Sequence, residues 1–429
     1  MITPPDADRS LHGLLSAAED ASPVDAVEAV TRGLGLRLGA TRVSFLVADL
    51  SGRALVRLTH LPLGEDEDAG ADRRSEEEVA TLVPLDGGPA AEALRTQRLQ
   101  VLAPGAAGHP AGLWTVLAPV TERGEAIGLL ELSLPVEPDR AAAEEVARTA
   151  LVLAYVVIAS RRHTDLFEWG QRSTPFTLSA EIQRRLLPSA FTCEASSFTL
   201  SAWLEPAASV GGDTFDYVLD RDSLHLSVTD AMGHGVASAL TATLCMGALR
   251  GTRRRGGSLL EQAVAANEAL VEHQTSASDE GFATGLLGRL DLRRGVLALV
   301  NAGHVLPYLA RDGAVTLLDL PAGLPLGLFP DAGLEAIDVA LQPGDRLVVV
   351  TDGMLERNAA DLDLAAAITE TRGLHPREAT RALSDRVLAV SGPALTDDAT
   401  LLVLDWHGDH GDERRSDHGA DASRASAPS

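Results

Sequence analysis

Apolar positions recur along this chain with two periods, and the switches between them outline its elements. Residues 24–38 carry apolar side chains at helical spacing, and residues 42–48 and 54–58 then alternate apolar with polar. With the turn-forming Asp49-Leu50-Ser51-Gly52 between the two alternating runs, this predicts a helix followed by a hairpin. Residues 88–95 read as a short helix, residues 114–120 and 126–134 as strands turning at Glu122-Arg123-Gly124-Glu125, and residues 141–160 as a long helix with an apolar face. Between 138 and 188 the pattern is mostly helical, with a break near residues 170–175. Its last stretch, 178–187, keeps helical spacing and stops at Pro188. Packing against the next domain and transmitting a signal to it are both open to that helix.

From about 195 to 405 the rhythm changes again. Short β-rich runs (224–228, 295–301, 346–351, 399–404) alternate with helical stretches (236–249, 259–273, 376–390), which predicts a layered α/β or α+β domain. After Asp405 the chain is polar and loses all apolar periodicity, so residues 406–429 are expected to be disordered.

Composition narrows the chemistry. A 429-residue chain that is 45% hydrophobic can bury cores for two or three domains. All 36 basic residues are arginine, which excludes a P-loop lysine, a Schiff-base lysine and a kinase-type catalytic lysine. A formal charge of −25 argues against nucleic acid and anionic lipid as partners. Cys193 and Cys245 are distant in sequence and sit in apolar contexts, so neither a disulfide framework nor a cysteine zinc site is expected. The start, MITPPDADRSLHG, has no signal-peptide pattern, and the apolar run at 150–159 is too short to span a bilayer, so a cytoplasmic protein is expected.

Acidic residues next to glycine, alanine or another acid end several apolar runs: Val210-Gly211-Gly212-Asp213, Val228-Thr229-Asp230, Val350-Thr351-Asp352-Gly353 and Thr396-Asp397-Asp398-Ala399-Thr400. One such aspartate is most simply a turn or helix cap. Carboxylates gathered at neighbouring strand ends would instead repel one another and need a counter-charge. Oxygen-only ligands favour Mg²⁺ or Mn²⁺ over zinc. A pair of such ions can activate water for attack on a phosphate ester.

The ordered segments GGDTFDY, VTDAMGHGVASAL, FATGLLGRLD, NAGHVLP, LPLG, PGDRLVVVTDGMLE and DDATLLVL resemble the PP2C-type (PPM) serine/threonine phosphatases of the SpoIIE/RsbU branch. The N-terminal order of helix, hairpin, short helix, hairpin and long helix, carried by GPAAEALRTQRLQVL and WTVLAPVTERGEAIGLLELS, resembles a GAF sensor domain. Together they imply a GAF-like domain over 10–160, a linker helix over 161–192, a PP2C-type αββα sandwich over 193–405 and a tail over 406–429.

The resemblance further implies a centre of two Mn²⁺ or Mg²⁺ ions, with Asp230 bridging them, Asp213 serving one, Asp352 and Asp397 the other, and the carbonyl of Ala231 as a further ligand. His234 is implied as the acid that protonates the leaving alcohol, with a structural hydrogen bond as the alternative. His304 is expected to support a buried turn, while Asp398 and Asp216 are left open between partner and cap roles. Thr214, where the family commonly has an aromatic residue, and the short stretch after Asp352 depart from the family pattern.

The implied activity is dephosphorylation of serine or threonine on a partner protein, by resemblance an anti-sigma-factor antagonist, tuned by the GAF-like domain. A homodimer through that domain and the linker helix accompanies it. The rival readings are a scaffold that docks partners without catalysis and a hydrolase of small phosphorylated molecules.

Overall fold

The computed structural model describes residues 5–427 apart from 50–51, 63–80, 86, 107–110, 171–176, 206–211, 234, 277–280, 322, 356–362, 392–396, 409–415 and 417. The described chain divides into two compact units, residues 1–175 with 415–429, and residues 176–414.

The first unit opens with helices α1 (Pro5–Asp20) and α2 (Ala26–Leu38) and continues through β1 (Arg42–Ala48), β2 (Ala54–Pro62), β3 (Thr81–Pro84), α3 (Gly88–Thr96) and β4 (Gln100–Leu102). It closes with β5 (Trp114–Glu122), β6 (Glu125–Leu134), α4 (Arg140–Ser160) and the short α5 (Leu166–Gly170). Its sheet is antiparallel, in the order β3-β2-β1-β6-β5-β4.

The expected alternation in β1 explains the layering. Val43, Phe45 and Val47 turn to one face and pack with Val30 and Leu34 of α2 and with Ala150, Leu153 and Val157 of α4. Leu46 and Ala48 turn to the other, where Leu55, Leu117 and Leu129 meet Ala93 and Leu94 of α3. Removing a side chain such as Phe45 or Leu34, each 0% exposed, from water stabilises the fold by roughly 1.5–3 kcal/mol.

The second unit begins with α6 (Leu178–Leu186), the C-terminal part of the expected linker helix. It continues through β7 (Thr192–Glu194), β8 (Phe198–Glu205), β9 (Thr214–Leu219), β10 (Ser223–Ala231), α7 (Val236–Arg254), α8 (Leu259–Ser276), β11 (Ala283–Asp291) and β12 (Val296–Ala302). There follow β13 (Tyr308–Arg311), β14 (Ala314–Leu317), β15 (Ala336–Ala340), β16 (Arg346–Val350), α9 (Leu364–Glu370), α10 (Pro376–Ser391) and β17 (Ala399–Trp406).

Two antiparallel sheets result, one ordered β15-β12-β11-β10-β9 and the other β14-β13-β16-β17-β8-β7. Leu224, Leu226 and Val228 of β10 interleave with Leu347 and Val349 of β16 and Leu402 and Leu404 of β17 between the sheets. The alternate residues face outward. Ala231, Leu287 and Val300 sit under α7 and α8, and Val348, Val350, Leu401 and Val403 under α9 and α10. Helix, sheet, sheet and helix are thus stacked as an αββα sandwich.

Residues 409–415, 417 and 428–429 of the expected disordered tail lie outside the described residues, and the described part of the tail corrects that expectation. β17 runs on to Trp406, and His407 donates its N–H to the Ser197 carbonyl. Residues 418–427 are ordered turns of the first unit. Gly419, at φ +105°, lies where a Cβ would collide with the Thr121 carbonyl, and Asp421 holds the N–H and hydroxyl of Ser423 and the side chain of Arg424. A few backbone and capping bonds order this segment without an apolar stripe. Both cysteines are free and buried, and burial pushes the Cys245 thiol up to about 12. Among the described residues no helix is long and apolar enough to cross a membrane.

Candidate metal centre

The expected acids stand at strand ends of the sandwich. Asp230 lies one residue from the end of β10, opposite Thr284 of β11. Asp213 immediately precedes β9, Asp352 follows β16 and opens a 3-10 turn, and Asp397 and Asp398 precede β17. Two close backbone contacts draw these ends together. A Cβ on Gly212 would overlap the carbonyl of Ala231, and one on Gly353 would overlap the carbonyl of Asp398, so glycine lets each pair of segments touch.

The electrostatics follow from this crowding. Burial first, then the charges of Asp230 and Asp398, hold the Asp213 carboxyl well above the usual carboxylate range, while hydroxyl bonds from Thr400 and Thr351 oppose the rise. Burial first, then Asp352, Asp397 and Asp398, pushes Asp230 up to about 7. Among the described residues, every charge shifting these two groups is negative. A divalent cation would remove that conflict, and the oxygen-only donor set suits Mg²⁺ or Mn²⁺. Among the described residues no group of three or more His, Cys, Asp or Glu side chains is placed closely enough to hold a metal ion. The match to a metal therefore lies in the charge balance and the glycine contacts.

Other expected residues separate into distinct roles. His234 lies outside the described residues, while its neighbours Gly233 and Gly235 hold φ of +93° and +80°, a region that favours glycine. His304 supports a buried turn: its N–H donates to the Asn301 amide oxygen at 2.7 Å, its carbonyl accepts from the Asn301 amide at 3.1 Å, and its ring meets the Thr284 hydroxyl at 3.0 Å. Burial drives its imidazole down to about 4, with the Val350 backbone opposing. Asp216 is held by Arg250 at 3.0 Å and Arg253 at 3.1 Å, a structural ion-pair cluster that also ties Arg250 to the Leu186 carbonyl at the end of α6. Thr214 pairs with Thr229 across the β9–β10 ladder at 2.6 Å. The stretch after Asp352 falls largely in 356–362, outside the described residues.

Sequence reasoning missed three residues at this centre. Gln183 of α6, 3% exposed, donates to the Asp213 carbonyl at 2.8 Å and to the Asp398 carboxylate at 2.6 Å. Nothing in the local pattern around Gln183 marks it. Thr351 and Thr400 both donate to Asp213 Oδ2, at 2.7 and 2.6 Å. Their positions inside the TDG and DDAT segments were the available signal.

The chain is similar to several known proteins. Residues 220–407 match the family described as Stage II sporulation protein E (SpoIIE). Over 239 residues the chain is 27% identical to the phosphoserine phosphatase RsbU of Bacillus subtilis, covering 53% of this chain and 68% of that protein. It is 25% identical to the phosphoserine phosphatase RsbP of the same organism, over 38% of this chain and 40% of that one. A crystal structure of the RsbU and RsbW domains of a Mycobacterium tuberculosis protein aligns at 28% identity with a TM-score of 0.43, covering 50% of this chain and 61% of that one. Residues 220–407, which hold Asp230, Asp352, Asp397 and Asp398, are thus similar to the SpoIIE family and to the phosphoserine phosphatase RsbU.

Proposed function

We propose that this chain is a metal-dependent protein serine/threonine phosphatase that uses two Mn²⁺ or Mg²⁺ ions. Asp230 would serve both ions, Asp213 one of them, and Asp352 and Asp397 the other, with the Ala231 carbonyl as a further ligand. The bound ions would supply the Lewis acidity that readies water for attack on a phosphate ester. The carboxylates orient and balance that charge, and the sheet ends fix their spacing. We assign protonation of the leaving alcohol to His234, since imidazole titrates near neutrality.

The observation that carries the reading is the crowding of Asp213, Asp230, Asp352, Asp397 and Asp398, with only negative charge from the described residues acting on the first two. The substrate class, a phosphoserine or phosphothreonine protein, is supported by likeness to RsbU and RsbP. An anti-sigma-factor antagonist as the specific partner follows the resemblance to the SpoIIE/RsbU branch.

We assign the first unit a GAF-like sensory role, supported by its observed element order. Its regulatory route would run through α6, because Gln183 touches two of the clustered acids. Tyr155 and Ile158, exposed on α4 at 54% and 38%, support a dimer through that helix.

The experiment is turnover of an aryl phosphate and of a phosphoserine protein by the purified chain, with Mn²⁺, with chelator, and as Asp230→Asn. Mn²⁺-dependent turnover lost in the variant is expected. Metal bound by a folded chain that turns over neither substrate would favour the docking scaffold instead.

A further inference from the structure

One carboxylate at this centre, Asp213, reaches from one sheet to the other. Asp213 stands before β9 in the five-stranded sheet, yet its side chain bonds to the six-stranded sheet. Thr351 closes the β16 run and Thr400 lies in β17, side by side: the Thr351 N–H donates to the Thr400 carbonyl at 3.1 Å. Both threonines are 0% exposed, and Asp213 is 2% exposed.

The proton directions in this cluster are determined. The Thr400 N–H can only donate, and it donates to Thr351 Oγ1 at 2.9 Å. That hydroxyl, acting as acceptor there, directs its own hydrogen to Asp213 Oδ2 at 2.7 Å. The Thr400 hydroxyl adds a second hydrogen to the same oxygen at 2.6 Å. Two donors occupy Oδ2, so Oδ1 is the atom left to face a cation.

The two threonines also flank the other acids. Thr351 is the neighbour of Asp352, and Thr400 lies three residues after Asp397. The same clasp that orients Asp213 therefore ties the strand ends bearing Asp352 and Asp397 to the strand end bearing Asp213.

We propose that Thr351 and Thr400 are positioning residues for metal binding: they commit Asp213 to a single ligand oxygen and set the spacing between the Asp213 side and the Asp352/Asp397 side of the centre. This rests on the metal-dependent reading above. The physical gain is preorganisation. A carboxylate already locked in one rotamer loses little freedom on binding an ion, and outer hydrogen-bond partners of ligands are generally worth about 10–100-fold in metal affinity.

The test uses the full chain and reads Mn²⁺ binding, by calorimetry and by electron paramagnetic resonance of free Mn²⁺, alongside metal-free thermal unfolding. Thr351→Val, Thr400→Val and the double variant remove the hydroxyls, while Thr351→Ser and Thr400→Ser keep them. We expect the double valine variant to lose about 10–100-fold affinity for at least one ion, with the serine variants close to wild type. A role confined to folding would lower the metal-free unfolding temperature and leave the affinity of the folded chain unchanged. Two Mn²⁺ affinities within about threefold of wild type in the double variant, against the loss expected for such partners, would overturn the proposal while sparing the phosphatase reading. If the valine variants do not fold, Thr351→Cys and Thr400→Cys, with a weaker donor, take their place, and unchanged affinity there overturns it equally. A wild-type chain that takes up no Mn²⁺ at all sinks the metal reading itself, a different outcome from the one that sinks the clasp.

Discussion

The sharpest consequence of the crowded acids concerns the metal-free chain as Asp230→Asn. In the folded state Asp230 holds its proton up to about pH 7 against an ordinary value of 3.8, because burial and then the charges of Asp352, Asp397 and Asp398 disfavour its ionised form. The folded chain therefore binds this proton more tightly than the unfolded chain. Stability falls as pH rises through that interval, and the loss is complete above about 7. The rise corresponds to about 4 kcal/mol at about 1.4 kcal/mol per pH unit, of which about 3 kcal/mol accrues between pH 5 and pH 8. Asparagine cannot ionise, so the variant escapes this loss. Urea unfolding in chelator should show the stability of Asp230→Asn relative to wild type improving by about that amount from pH 5 to pH 8. Mn²⁺ should reverse the order at pH 8, stabilising wild type by mass action and the variant far less. A gap between variant and wild type that does not change with pH would refute the argument, since it would mean that Asp230 ionises without electrostatic cost.

Three further outcomes follow from neighbouring residues. Gln183→Leu removes the donor to the buried Asp398 carboxylate and the Asp213 carbonyl. It should cost about 1–3 kcal/mol in urea unfolding and lower Mn²⁺-dependent turnover, and unaltered unfolding would argue that water replaces the amide. Gly353→Ala would drive a Cβ into the Asp398 carbonyl; a loss of about 1–3 kcal/mol together with weakened Mn²⁺ binding in calorimetry is expected, and an unperturbed site would show that the loop gives way freely. His304, driven down to about 4 by burial, should stay neutral from pH 8 to pH 5 in imidazole NMR, and its share of stability should drain away only as pH falls below its ordinary 6.5 towards 4. A midpoint near 6.5 would contradict its burial.

Much of the architecture was legible because it is periodic. The two-residue alternation in 42–48, and helical spacing in 141–160 and 376–390, mark faces that become buried in each unit. The acids were legible for a different reason: an aspartate ending an apolar run beside glycine interrupts that periodicity, and both Gly212 and Gly353 prove to be places where backbone touches backbone. Gln183 was invisible, since one polar residue on a helix looks like a solvated position until the helix is docked with that residue inward. Residues 418–427 of the tail were misjudged because their order comes from a glycine contact and an aspartate-capped turn, neither of which leaves a hydrophobic pattern.

By itself the sequence determined which residues must be hidden and which acids interrupt the pattern, because burial and turn preferences act locally and repeat along the chain. Only the tertiary structure decided which hidden residues meet. Asp213 and Thr400 are 187 positions apart, and Gln183 and Asp398 are 215 apart. Local periodicity carries no information about such pairings, which arise when two sheets close face to face and leave each buried polar group to find a partner within reach.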